Sequence, residues 1–222
     1  HPQWSSATAY NRGQILYRIA EIMEGRSDQF VAEIMALEGA TPKAALKQVQ
    51  EAIDTWVWYA GWTDKISSTA GSTNPIAGPY YNFTIPEPLG VVGIFAEQKS
   101  SLLGVVRGLA PVLASGNSAV VVASERRPLP AITLSECCAT SDVPPGVINI
   151  LTGVTSELAP WMASHMEVDG IDISGLDPKS DADIRKSGTE NLKRIHRFKS
   201  ENSPDRILSF MEYKTVWHPI GI

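Results

Sequence analysis

Two adjacent thiols, Cys137 and Cys138 in "SECCATSD", are the only cysteines of this 222-residue chain. A thiolate can attack a carbonyl carbon, clamp a soft metal or exchange with a disulfide. Their setting argues for packing instead. "PAITLSECCATSDVPPG" reads as a helix ending before Pro144, with Ile132, Leu134 and Cys138 on its apolar stripe. Adjacent helical residues point about 100° apart, so the two thiols do not converge on one metal. At least one is expected to be buried and inert. The four histidines, His1, His165, His196 and His218, show no metal-ligand spacing. His165 is read as a C-terminal helix cap ahead of a strand. "GLDPKSD" lacks the regular acidic spacing of a Ca²⁺ loop and is read as a turn. No catalytic residue and no metal site is assigned.

The elements that position these groups follow from periodicity. "NRGQILYRIAEIMEGR" places Ile15, Leu16, Ile19, Ile22 and Met23 on one helical stripe that ends near Gly25. Ser27 or Asp28 is expected to cap a second helix with Phe30, Val31, Ile34 and Leu37 inward, closing at Gly39. Thr41 and Pro42 open a third, whose stripe is Leu46, Val49, Ile53, Trp56, Val57 and Ala60. The aromatic group Trp56, Trp58, Tyr59 and Trp62 falls at helical spacing and reads as core or subunit contact. "SSTAGSTNPIAGP" is a turn-rich break.

After that break the pattern changes. "GVVGIFA", "SAVVVAS", "GVINILT" and "VDGIDIS" are apolar strands, with helices at 101–114, 128–140 and 154–165 between them. Apolar strands alternating with helices predict an α/β, Rossmann-like, doubly wound parallel sheet. The closing "RILSFMEYKTVWHPIGI" alternates like a strand and is expected to pair with "PYYNFTIPEPLG". The domain reading is therefore 1–76 as an N-terminal helical part, 91–200 as the βαβ core, and 77–90 with 206–222 as a small β arm.

Composition excludes several classes. A net charge of −5 argues against a nucleic-acid partner, and the one basic run, "KRIHRFK", reads as a solvated edge or loop. No apolar run reaches the roughly 18–20 residues of a membrane span. The start lacks a signal-peptide pattern, and two adjacent cysteines give no disulfide framework, so a cytoplasmic location is expected. Opening on His rather than Met, the chain is read as a trimmed end or a fragment of a longer protein.

In order and at the right spacing, several stretches resemble the aldehyde dehydrogenase superfamily. "YNRGQILYRIAEIMEGR" looks like its opening helix, and "EPLGVVGIFA" like its strand into the cofactor site. "LAPVLASGNSAVVVASERRPLPAITLSE" and "VPPGVINILTG" are similar to its central segments. The resemblance implies NAD(P)-dependent oxidation of an aldehyde through a cysteine thioester, with an oxyanion donor and a general base. The family's "PWN", whose Asn holds the oxyanion, is here Glu97, Gln98, Lys99. Its "KPSE" ribose-binding run is Val122, Ala123, Ser124, Glu125, so only the Glu matches. Its "FTGS" pyrophosphate turn is Ile173, Ser174, Gly175, Leu176, followed by Asp177. Phe198 stands near the general-base position.

After Pro204 the sequence passes directly to "MEYKTVWHPIGI", similar to the family's closing strand, and the stretch that would contain the nucleophile is absent. This is the pattern of the truncated, non-catalytic second domain of two-domain aldehyde dehydrogenases. Glu125 and Gly175 are the residual cofactor-binding candidates. Glu125 reads more readily as an exposed loop carboxylate, because the Lys that partners it in the family is missing. The resemblance implies a silent scaffold with no bound cofactor, whose arm assembles it with copies of itself or with a full dehydrogenase domain. Two other readings stand beside it: an NAD(P)-binding regulatory module, and a fragment of an active enzyme whose catalytic domain lies outside this chain.

Overall fold

The computed structural model describes residues 2–199 and 201–221. Helix α1 (Pro2–Ser5) leads into α2 (Ala9–Gly25), where Thr8 caps the first turn by accepting a hydrogen bond from the Asn11 N–H at 3.1 Å. Ile15, Leu16, Ile19 and Met23 are buried, and Ile22 packs against them half-buried. Helix α3 (Ser27–Glu38) begins one residue later. Ser27 and Asp28, expected as caps, lie inside its first turn, and no side chain caps it. The reason is the tight junction: Arg26 still donates its N–H to α2 carbonyls, so the chain turns without a free capping position. Gly39 ends α3 in the left-handed region, with φ 68°, a conformation glycine adopts without penalty.

Helix α4 (Pro42–Ala60) starts as the sequence predicts, with Thr41 accepting from the Ala44 N–H at 3.3 Å and Pro42 in the first turn. Its buried face is Ala45, Val49, Ala52, Trp56 and Tyr59, while Leu46 and Val57, expected inward, are exposed. The stripe is rotated because small Ala45 and Ala52 let α4 pack closely on its neighbours. Trp58 meets Tyr59 edge-on at 4.7 Å, an intramolecular aromatic contact. Short helix α5 (Ile66–Ala70) and strand β1 (Ser72–Asn74) follow; β1 falls inside the stretch read as a break. Strand β2 spans Tyr80–Pro88.

The α/β portion runs β3 (Val91–Phe95), α6 (Leu103–Ala114), β4 (Ser118–Val122), α7 (Leu129–Ala139), β5 (Ile148–Leu151), α8 (Thr155–Ser164) and β6 (Gly170–Asp172). Then come α9 (Asp181–Gly188), β7 (Arg194–His196) and α10 (Pro204–Leu208). The sheet is parallel, in the order β5-β4-β3-β6-β7. Strand order reverses beside β3, which puts the switch point between the carboxyl ends of β3 and β6. One core joins α2, α4, α6 and α7 to one face of the sheet; a second, with Phe95, Met162, Ile171 and Ile184, lies under α8 and α9.

Three stretches differ from the sequence reading. "KRIHRFK" contributes β7, and Lys193 is buried rather than solvated. Its Nζ donates to the carbonyls of His165 at 2.5 Å and Val168 at 2.7 Å. Helix α9 forms just after the stretch read as a turn, where the sequence reading assigns no element. Residues 206–208 of the segment read as extended lie in helix α10, because Ser203 caps its first turn through the Asp205 N–H and Pro204 opens it.

Strand β8 (Met211–Pro219) pairs antiparallel with β2 along its whole length, from Tyr80 opposite Pro219 to Pro88 opposite Met211. This is the pairing the alternating pattern predicts. β1 flanks the other side of β2, so the ribbon order is β1-β2-β8. Among the described residues no helix is long and apolar enough to cross a membrane.

Candidate functional site

The switch point is where an open α/β sheet presents a cleft. Here a cavity of about 240 Å³ lies there, lined in part by Glu97 after β3, Arg107 on α6, Asp172 and Ser174 at β6, Phe198, and Arg206 on α10. Its centre is an ion pair. Arg206 Nη2 reaches Asp172 Oδ2 at 3.4 Å, with side-chain exposures of 5% and 3%. The Ser174 N–H donates to Asp172 Oδ1 at 2.8 Å, and the Ser174 hydroxyl donates to the same oxygen. Burial pushes the Asp172 carboxyl above its ordinary value, opposed by the Arg206 charge and the Ser174 bonds. Such a pair is expensive to desolvate and is held by its hydrogen bonds.

Aromatic rings close the rest of the cleft. Phe198 stacks on His196 at 5.6 Å and meets Phe210 edge-on at 5.9 Å, and the Arg206 guanidinium lies 4.8 Å from the Phe198 centroid. The Phe198 N–H donates to the Ser174 hydroxyl oxygen at 2.9 Å. Phe198 thus contributes a ring that packs and a backbone that ties down the β6 turn.

Gly175 follows that turn. Its N–H donates to the Phe95 carbonyl at 2.9 Å, and a Cβ there would come within 2.5 Å of that oxygen and closer still to the Ala96 carbonyl. The glycine is needed so that the loop after β6 can fold directly onto the end of β3. Two carboxylates stand nearby. Asp177 accepts from the Lys179 N–H at 3.0 Å, and Asp181 at the start of α9 is gripped by Arg197 at 2.5 and 3.1 Å. A pyrophosphate needs free N–H groups at a helix start; two resident carboxylates, a sealed turn and a cleft narrowed by Phe198 and Arg206 to about 240 Å³ do not fit a dinucleotide.

Glu125 lies elsewhere, in a second groove of about 310 Å³ with Gln98, Lys99, Arg126, Arg127 and Thr155. Its Oε2 accepts from the Thr155 N–H at 3.0 Å and the Thr155 hydroxyl at 3.1 Å. Helix α8 starts after Val154, which has no capping side chain, so Glu125 supplies the missing acceptor from a different loop. Gln98 holds that loop by accepting from the Glu125 N–H at 2.8 Å. Lys99 lines this groove and not the switch-point cavity, so the site candidates are not brought together.

Both thiols are buried, and Ile132, expected beside them, is exposed. Burial raises both above the ordinary thiol value, Cys138 the more strongly; the Arg26 guanidinium, 3.8 Å from Cys137 Sγ, partly opposes this at Cys137. His165 stands at the C-cap of α8, and its Nδ1 accepts from the Glu167 N–H at 3.2 Å, bracing the turn that follows. Among the described residues no group of three His, Cys, Asp or Glu is placed to hold a metal. The sequence reading missed Asp172, Arg107 and Arg206. An aspartate inside the apolar run "GIDIS" was the available signal, since a buried carboxylate demands a partner.

The profile of the aldehyde dehydrogenase family matches residues 1–204. Human retinal dehydrogenase 2 is 34% identical over 208 residues, covering 93% of this chain and 39% of that protein. The chain therefore spans about two fifths of the length of the curated relatives it matches. Among solved structures, betaine aldehyde dehydrogenase from Staphylococcus aureus in complex with NAD+ superimposes with a TM-score of 0.79 at 26% identity, covering 86% of this chain and 37% of that one. PnpE from Pseudomonas sp. WBC-3 gives a TM-score of 0.81 at 25% identity, covering 88% and 40%.

Proposed function

This chain belongs to the aldehyde dehydrogenase family, and from that premise we propose that it is a non-catalytic scaffold domain within an aldehyde dehydrogenase assembly. The observation that carries the reading is the narrowed switch point, where a cavity of only about 240 Å³ remains. Arg206 and Phe198 pack into the cleft a cofactor would need, and the Asp177 carboxylate holds the Lys179 N–H in the turn after β6. Repacking of this kind supports a framework kept for its shape and not for hydride transfer.

Its partner is a second copy or a complete dehydrogenase domain, met through the β arm. Tyr80, Tyr213 and Trp217 are exposed on one face of the β2–β8 ribbon, and no strand among the described residues pairs the outer side of β8. A nine-residue uncovered edge is a ready template for strand addition. Light scattering after size exclusion should give a dimer or larger species; a monomer at all concentrations would count against the arm as an assembly element. We place the domain in the cytoplasm.

A second reading draws on the relative that carries NAD+: a regulatory module that binds NAD(P) without chemistry. Calorimetry with NAD+ and NADH separates the two, since the scaffold reading expects no heat at millimolar ligand. A third rests on the fraction of the relatives' length covered here: the chain is part of an active NAD-dependent enzyme with its catalytic domain elsewhere. Mass spectrometry of the natural protein tests it.

A further inference from the structure

We infer that the switch-point cavity is a binding site for a small oxyanion, held by the guanidinium groups of Arg107 and Arg206. The donors there exceed the acceptors. Arg206 is 4% exposed, makes one long bond to Asp172, and leaves Nε and Nη1 buried without a partner. Arg107 makes no hydrogen bond among the described residues; Glu51 and Glu97 approach it only at 3.8 and 3.9 Å. Two guanidiniums thus line one cavity with most of their N–H groups unused. Buried polar groups left in this state are uncommon and call for an occupant.

Of the charged groups lining the cavity, Arg107, Arg206 and Lys199 are cationic and Glu97 and Asp172 anionic, while Glu51, outside the lining, balances Arg107 at 3.8 Å. Asp172 is already engaged by Ser174 and Arg206, so it competes little for the remaining donors. A planar fork presents paired N–H groups that match carboxylate or phosphate oxygens. The volume of about 240 Å³ is below the roughly 300–1,000 Å³ of sites for drug-sized ligands, so the occupant is a small carboxylate or inorganic phosphate. Arg206 serves both this site and the scaffold reading, and anion binding is read separately from oligomeric state.

Calorimetry of the 222-residue chain with inorganic phosphate, and separately with propionate, at matched chloride tests it. Saturable binding of one anion per chain is expected for at least one probe, and the stronger probe tells a tetrahedral from a planar ligand. Arg107→Gln, which breaks no buried pair, should weaken that binding by about tenfold or more with an unchanged circular dichroism spectrum. Arg206→Lys should do the same if it folds. Absence of saturation by either probe up to roughly tens of millimolar, or unaltered affinity in Arg107→Gln, would overturn the assignment.

Discussion

Asp172, at the end of β6, and Arg206, on α10, form a buried ion pair at 3.4 Å that joins the C-terminal segment to the centre of the sheet. Removing one partner strands the other charge. Asp172→Leu and Arg206→Met are each expected to cost about 3–5 kcal/mol, whereas the double substitution should lie closer to the parent than either single one. Urea denaturation of all four proteins gives the coupling energy. Additive losses would mean the pair is not the unit described here.

His196 supplies a pH dependence. Burial first, then the Arg185 and Arg194 charges, hold its imidazole below the ordinary value, with Asp172 opposing. The folded state therefore binds fewer protons than the unfolded one, and stability falls as pH drops through about 6.5, the unfolded value, towards the lower folded one. Melting curves from about pH 7.5 to 5 should show a loss in the parent that is smaller in His196→Phe, which keeps the ring stack with Phe198. Parallel curves would rule out His196 as the source.

Gly175 and Gly25 make a contrasting pair. A Cβ at Gly175 collides with the Phe95 and Ala96 carbonyls, while one at Gly25 meets nothing within 4 Å. Gly175→Ala should cost about 1–3 kcal/mol, the range for overpacking. Gly25→Ala should be neutral or gain up to about 1 kcal/mol. Chemical denaturation decides, and equal effects would refute the close approach of the β6 turn to β3.

The Glu125 carboxylate is assigned to the start of α8. Replacing it with Ala should cost about 0.5–2 kcal/mol, as loss of a helix cap does, and Glu125→Gln should retain part of it by keeping an acceptor for the Thr155 N–H. Equilibrium unfolding of the two variants checks this. A neutral Glu125→Ala would release the residue for another role.

Cys137 and Cys138 should resist thiol reagents while the chain is folded, because both are buried and neither is readily ionised. Labelling with an aromatic disulfide should follow global unfolding in urea. Rapid reaction of the native protein would contradict their placement.

The sequence by itself determined the α/β class, four of the five parallel strands, the helices between them and the β2–β8 pairing. It did so because apolar periodicity records locally which face of each segment must be buried. It also marked positions 97–99, 122–125 and 173–177 as departures from the pattern of the family it resembles. Tertiary structure alone decided what took their place. Glu125 finds Thr155 across 30 residues and Arg206 finds Asp172 across 34; no local pattern specifies such partners. β7 and α9 were hidden for a related reason: their short, charged segments gain order from packing on β6 and the second core, which overrides their weak intrinsic preference.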